Sequence, residues 1–76
     1  MGAKLPAITA KKLVRFLKKR GFKEDRQRGS HLTLINRITR RVVTVPVHTG
    51  ADIGRGLLQK ILAAAGFTPQ DFNNLR

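Results

Sequence analysis

The sequence predicts an α+β fold in which helices cover one face of a three-stranded antiparallel sheet. Three observations predict it. A stretch with helical spacing opens the chain, three stretches of strand character joined by short turns follow, and a second helical stretch comes after them. Thr9 is placed to cap the first helix, with Leu13, Phe16 and Leu17 on one face. Gly21 closes that helix as a left-handed C-terminal residue. Phe22 to Arg28 reads as a weak, polar strand, and Arg28-Gly29-Ser30 as a turn. His31-Leu-Thr-Leu-Ile35 alternates cleanly, and Arg40 to Pro46 is a β-branched run. Between them Asn36 to Thr39 forms a hairpin loop without the usual glycine, which leaves its turn type open. A second helix starts around Asp52 to Gly56, carries Leu58, Ile61, Leu62 and Ala65 on one face, and ends at Gly66. Thr68-Pro69, an N-cap followed by Pro at the first helical position, opens a short terminal helix.

Alternation then places the strand side chains. If Leu32 and Leu34 face the helices, His31, Thr33 and Ile35 lie on the open face. On the partner strand Val43, Val45 and Val47 point inward and Thr44 outward. His31 thus stands at a strand start, beside a glycine turn and near Arg26 and Arg28.

Charge narrows the function. Sixteen basic side chains face four acidic ones, a net of +12, and 13 of the 16 fall within residues 1–41. Charge gathered on one half of a chain favours a polyanion, and nucleic acid first among polyanions. Lys11, Lys12, Arg15, Lys18 and Lys19 form a stripe opposite the apolar face of the first helix. Its plainer reading is a solvated face, but five cations without an interleaved glutamate repel one another. A polyanion or an acidic protein partner would relieve that repulsion. A membrane surface is disfavoured, because too few large apolar groups oppose the basic stripe.

Other classes find little support. With no cysteine, disulfides and thiolate metal sites are excluded. Two histidines and four acidic residues show no metal-ligand spacing, so neither a metal nor a cofactor is expected. No apolar run reaches the roughly 20 residues of a membrane span, and the first residues lack a signal-peptide core. The expectation is one domain over residues 1–76, cytoplasmic and monomeric when free. A chain this short buries only about 60% of its unfolded surface, so a partner could add stability.

Gly29-Ser30-His31 has two readings. Structurally it is a tight turn, glycine at positive φ, with a histidine filling a strand start. Functionally, RNA carries its own nucleophile in the 2′-OH. An enzyme need only take its proton, protonate the departing 5′ oxygen and steady the charge on phosphorus. An imidazole can do the proton transfers near neutral pH, and Arg or Lys can hold the phosphate. Lys23, Arg26, Arg28 and Ser30, with Lys11, Lys12, Arg15 and Lys19 of the first helix, are the candidate phosphate contacts. His48 is a second candidate for acid–base work, and equally a loop histidine bonded to backbone after Pro46. If alternation persists past that proline, it shares the side of Thr44 and can approach His31. Ser30 as a nucleophile is discounted, since no carboxylate is placed to orient His31 in a triad. Gly54-Arg55-Gly56 could bind phosphate through helix-start amides, but more simply sets the angle at which the chain enters the helix.

Leu5-Pro6, Gly21-Phe22, Arg28-Gly29-Ser30-His31, Val45-Pro46-Val47-His48, and Gly56-Leu57-Leu58 leading to Ile61-Leu62 and Ala65-Gly66 together resemble the HicA toxins. The ordered set, over roughly residues 5 to 72, carries the resemblance rather than any one segment. It implies a fold similar to the double-stranded-RNA-binding domain, messenger-RNA interferase activity, and neutralisation by a cognate HicB-like antitoxin. The family's catalytic histidine maps onto His31, and that of its Pro-x-His segment onto His48. One departure is the hairpin Asn36-Arg37-Ile38-Thr39, where relatives commonly carry an Asp-Gly-Arg-like turn. The expected function is therefore a toxin that cleaves mRNA without a metal. The alternatives are a non-catalytic RNA-binding module using the same basic face, or a protein-interaction domain whose basic helix docks an acidic partner. The absence of Tyr and Trp argues against a base-stacking platform for single strands.

Overall fold

The computed structural model describes residues 4–47 and 52–76. In chain order its elements are β1 (Ile8–Thr9), α1 (Ala10–Lys19), β2 (Lys23–Arg28), β3 (His31–Asn36), β4 (Arg41–Pro46), β5 (Asp52–Ile53), α2 (Arg55–Ala65) and α3 (Pro69–Leu75). This is the expected α+β order of helix, three antiparallel strands and helices, with the short C-terminal helix, consistent with the topology of the double-stranded-RNA-binding domain.

The helix ends follow from local chemistry. Thr9 accepts a hydrogen bond from the Lys12 amide on its side-chain oxygen and starts α1. At the other end Gly21 takes φ +96°. That turn lets the Gly21 amide donate to Lys18 O at 3.2 Å and the Phe22 amide to Leu17 O at 3.1 Å. Two carbonyls left open by the helix are thereby satisfied, and Phe22 folds back into the core beside Leu17. α2 ends in the same pair of bonds at Gly66-Phe67. Thr68 and Asp71 cap α3 reciprocally, each side chain accepting the other's backbone amide.

The sheet runs β2-β3-β4, antiparallel throughout. Leu32, Leu34, Val43 and Val45 are buried beneath the helices, where they meet Leu13, Phe16 and Leu17 of α1 and Leu58, Ile61 and Leu62 of α2. Val47 packs against this core, in line with the strand alternation. Phe72 of α3 is fully buried and meets the Phe16 ring edge-on, with centroids 4.8 Å apart. The result is a slab of 36 × 31 × 17 Å.

Several details add to the expectation or depart from it. β1 and β5 form a two-residue antiparallel ladder, Ile8 with Ile53 and Thr9 with Asp52, which ties the start of α1 to the approach of α2. Asp52 and Ile53 are consequently strand, and α2 begins at Arg55, within the expected range, with Gly54 as its cap. Asn36 belongs to β3 rather than to the hairpin loop and is buried. Its side-chain oxygen accepts the amides of Ile38 and Thr39, and its side-chain nitrogen donates to Arg20 O. The glycine missing from that loop is replaced by Arg40, at φ +64°. Finally, the pairing runs through Pro46, as the expected strand end requires: Pro46 stands opposite His31, and the Val47 amide donates to Ser30 O at 2.6 Å. β4 is an edge strand, where a proline costs no ladder bond on its outer side.

Candidate functional site

The open face of the sheet is built by two hairpins. Arg28-Gly29-Ser30-His31 is a two-residue turn in which Gly29 has φ +56° and Ser30 does not share that sign. Positive φ at the first central position alone is the type II′ pattern, whose twist suits flanking antiparallel strands. Among the described residues nothing lies within 4 Å of where a Gly29 Cβ would stand, and the positive φ itself favours glycine. The Gln27 side-chain amide donates to Gly29 O and braces the turn. His31 follows directly and is exposed.

Residues paired across antiparallel strands share a face. His31 pairs with Arg28 and with Pro46, Thr33 with Arg26 and Thr44, and Ile35 with Lys23 and Val42. Strict alternation along β2 would put Lys23 and Arg26 on opposite faces. An extra residue prevents this: Glu24 pairs with Leu34, but Arg26, not Asp25, pairs with Thr33. This bulge gathers Lys23, Arg26 and Arg28 into one column beside His31, Thr33 and Ile35. Nothing in the sequence signals it, because β2 is exposed along its whole length and has no alternation to break. Thr33 and Thr44 add a hydroxyl pair, Oγ1 to Oγ1 at 3.5 Å, in the middle of the face.

The acidic side chains of β2 are engaged. Glu24 pairs with Lys18 of α1. Asp25 pairs with the guanidinium of Arg26 at 3.4 Å. Glu24 pairs with Leu34 across the strands and so shares the inward face, opposite to that of His31. Ser30 is half-buried, its carbonyl taken by Val47. His48 lies outside the described residues. Among the described residues no group of three or more His, Cys, Asp or Glu side chains could hold a metal ion.

The predicted phosphate contacts divide into two sets. Lys23, Arg26 and Arg28 share the open face with His31. Lys11, Lys12, Arg15 and Lys19 occupy the outer side of α1, whose inner side packs on the opposite, core face of the sheet. The structure therefore does not bring the helix stripe to His31; the two basic surfaces look out from different sides of the slab. Arg20 was not among the sequence candidates, yet it flanks the α1 stripe with its guanidinium over the Phe16 ring at 5.6 Å. Its position one residue past the helix hid it from a reading based on helical spacing.

No curated protein matches the chain. The family described as the HicA toxin of bacterial toxin-antitoxin matches residues 10–67. That span runs from the start of α1 past the end of α2 and includes the whole sheet and His31. With well over half its length matched, and with the helix–sheet–helix order in place, this chain belongs to the HicA toxin family, the toxin half of a pair completed by a cognate antitoxin.

Proposed function

We propose that this toxin is an endoribonuclease that cleaves mRNA, with His31 as its general acid–base residue. The observation that carries the reading is the placement of an exposed imidazole directly across the hairpin from Arg28, in register with Arg26 and Lys23 on the same face. The cations bind the phosphate diester and stabilise the charge that builds on phosphorus. The imidazole acts on a proton at the 2′ or the 5′ oxygen. The 2′ oxygen loses its proton and bonds to phosphorus while the bond to the 5′ oxygen breaks. The products are a 2′,3′-cyclic phosphate and a 5′-hydroxyl end, with the proton delivered to the leaving oxygen. His48 is proposed as the second proton-transfer group. The nucleophile and both proton transfers are supplied by RNA and side chains, so the reaction is expected to proceed in EDTA.

The test uses a defined RNA, the wild-type chain and the His31→Ala and His48→Ala variants, with analysis of the ends produced. His31→Ala is expected to keep the fold and RNA binding and to lose cleavage by about 100-fold or more. DNA, lacking the 2′-OH, is expected to remain intact. Undiminished cutting by His31→Ala would remove the assignment. A wild-type chain that retards RNA without shortening it would leave only a binding module.

A further inference from the structure

We propose that the groove between α1 and α3 is a second binding surface, which docks an acidic, leucine-bearing segment of a partner protein. It is independent of RNA cleavage on the open face of the sheet. The groove encloses about 500 Å³. Its accessible apolar lining is half-buried Ile8 and exposed Leu75, set over the buried rings of Phe16 and Phe72, Asn73 adds a polar contact, and its rim is basic, formed by Lys12, Arg15, Lys19, Arg20 and Arg76.

Three observations point to such an occupant. First, the rim is uncompensated. Of the four acidic residues, Glu24 and Asp25 are paired on β2, Asp71 caps its own helix and Asp52 lies on β5; none lines the groove. Lys12, Arg15 and Lys19 stand at helical i, i+3 and i+7 and repel one another until an anion arrives. Second, the floor selects against nucleic acid. Phe16 and Phe72 are 6% and 0% exposed and lock each other edge-to-face, so neither ring offers a stacking surface to a base. Leu75, at 42% exposed, instead offers an aliphatic contact. Third, the walls are fixed before anything binds. The Arg20 guanidinium donates to Leu75 O at 3.3 Å, joining the two helices at one end. The Asn73 side chain donates to Lys4 O at 2.9 Å, tying α3 to the chain ahead of α1. A preformed groove with an apolar floor and a charged rim suits an amphipathic segment with apolar anchors at helical spacing and carboxylates on its flanks.

The experiment measures binding of the full chain to a fluorescent synthetic peptide of glutamates with leucines at i and i+4. Comparison probes are the same peptide with serine for leucine and a single-stranded RNA oligonucleotide. Arg15→Glu combined with Lys19→Glu is expected to weaken peptide binding by about tenfold or more, while Lys60→Glu, at an exposed position of α2, changes it less than about twofold. Leu75→Ser preserves every charge and is expected to weaken binding as well, which keeps the test decisive should the double charge reversal fail to fold. The His31→Ala variant is expected to bind the peptide as the wild type does. Equal losses from Lys60→Glu, equal affinity for the serine peptide, or displacement of the bound peptide by the RNA oligonucleotide would each overturn the proposal.

Discussion

At the scale of single residues, Asn36 shows how one polar side chain can organise a junction. It is the only buried polar residue among those described, and it spends its hydrogen bonds on three backbone groups from two parts of the chain. Two of these are amides of the β3–β4 turn and the third is the Arg20 carbonyl just past α1. Asn36→Ala would strip partners from all three. The expected cost is about 1–3 kcal/mol, measurable as a lower urea midpoint with an unchanged slope. Its role was half legible in the sequence. Position 36 continues the inward series of Leu32 and Leu34, but an asparagine at the end of a strand reads as a turn residue, and the turn chemistry dominated. The neighbouring Arg40 was not legible at all. An arginine in the left-handed region is uncommon, and it occurs here because Asn36 and the bond from the Arg40 amide to Asn36 O, at 2.7 Å, define the turn first.

At the scale of elements, the helices and the two long hairpin strands were legible because each carries its own boundary signals. Thr9, Gly21, Gly66 and Thr68-Pro69 all act where local chemistry places them. The β1–β5 ladder was not, since two residues are too few to show any period and their partners lie more than 40 positions away. The β2 bulge escaped for a related reason: a polar strand exposed on both faces has no pattern against which an extra residue can be noticed. Yet the composition of the open face depends on it. The short α3 also contributes more than its length suggests. Phe72 fills the space between α3 and α1, in contact with Phe16. Phe72→Ala is expected to cost about 3–5 kcal/mol. Against a total stability of about 5 kcal/mol for a domain this small, that leaves a large unfolded fraction at 37 °C. Loss or marked broadening of the thermal transition by circular dichroism is the measurement.

At the scale of the whole molecule, the question is how a charge of +12 is deployed. The sequence separated a helix stripe from the cations of the first strand, but not the face each serves, because the bulge that brings Lys23 beside Arg26 leaves no trace in it. Salt dependence separates the two arrangements. If RNA touches only Lys23, Arg26 and Arg28, the logarithm of affinity should fall against the logarithm of salt with a slope of about −2. If Lys11, Lys12, Arg15 and Lys19 also contact phosphates, the slope should approach about −5. A titration of single-stranded RNA with the His31→Ala variant, across a range of salt, reads this directly. A slope near the steeper value would mean that RNA wraps the edge of the slab. The thinness of that slab has a further consequence. Its least dimension is 17 Å, roughly twice the distance over which physiological salt lets one charge feel another. In cellular salt the two faces act as separate electrodes, and an anion on one leaves the other unchanged. In dilute buffer, where that distance grows to about 30 Å, the faces share one field, and filling either weakens the attraction of both.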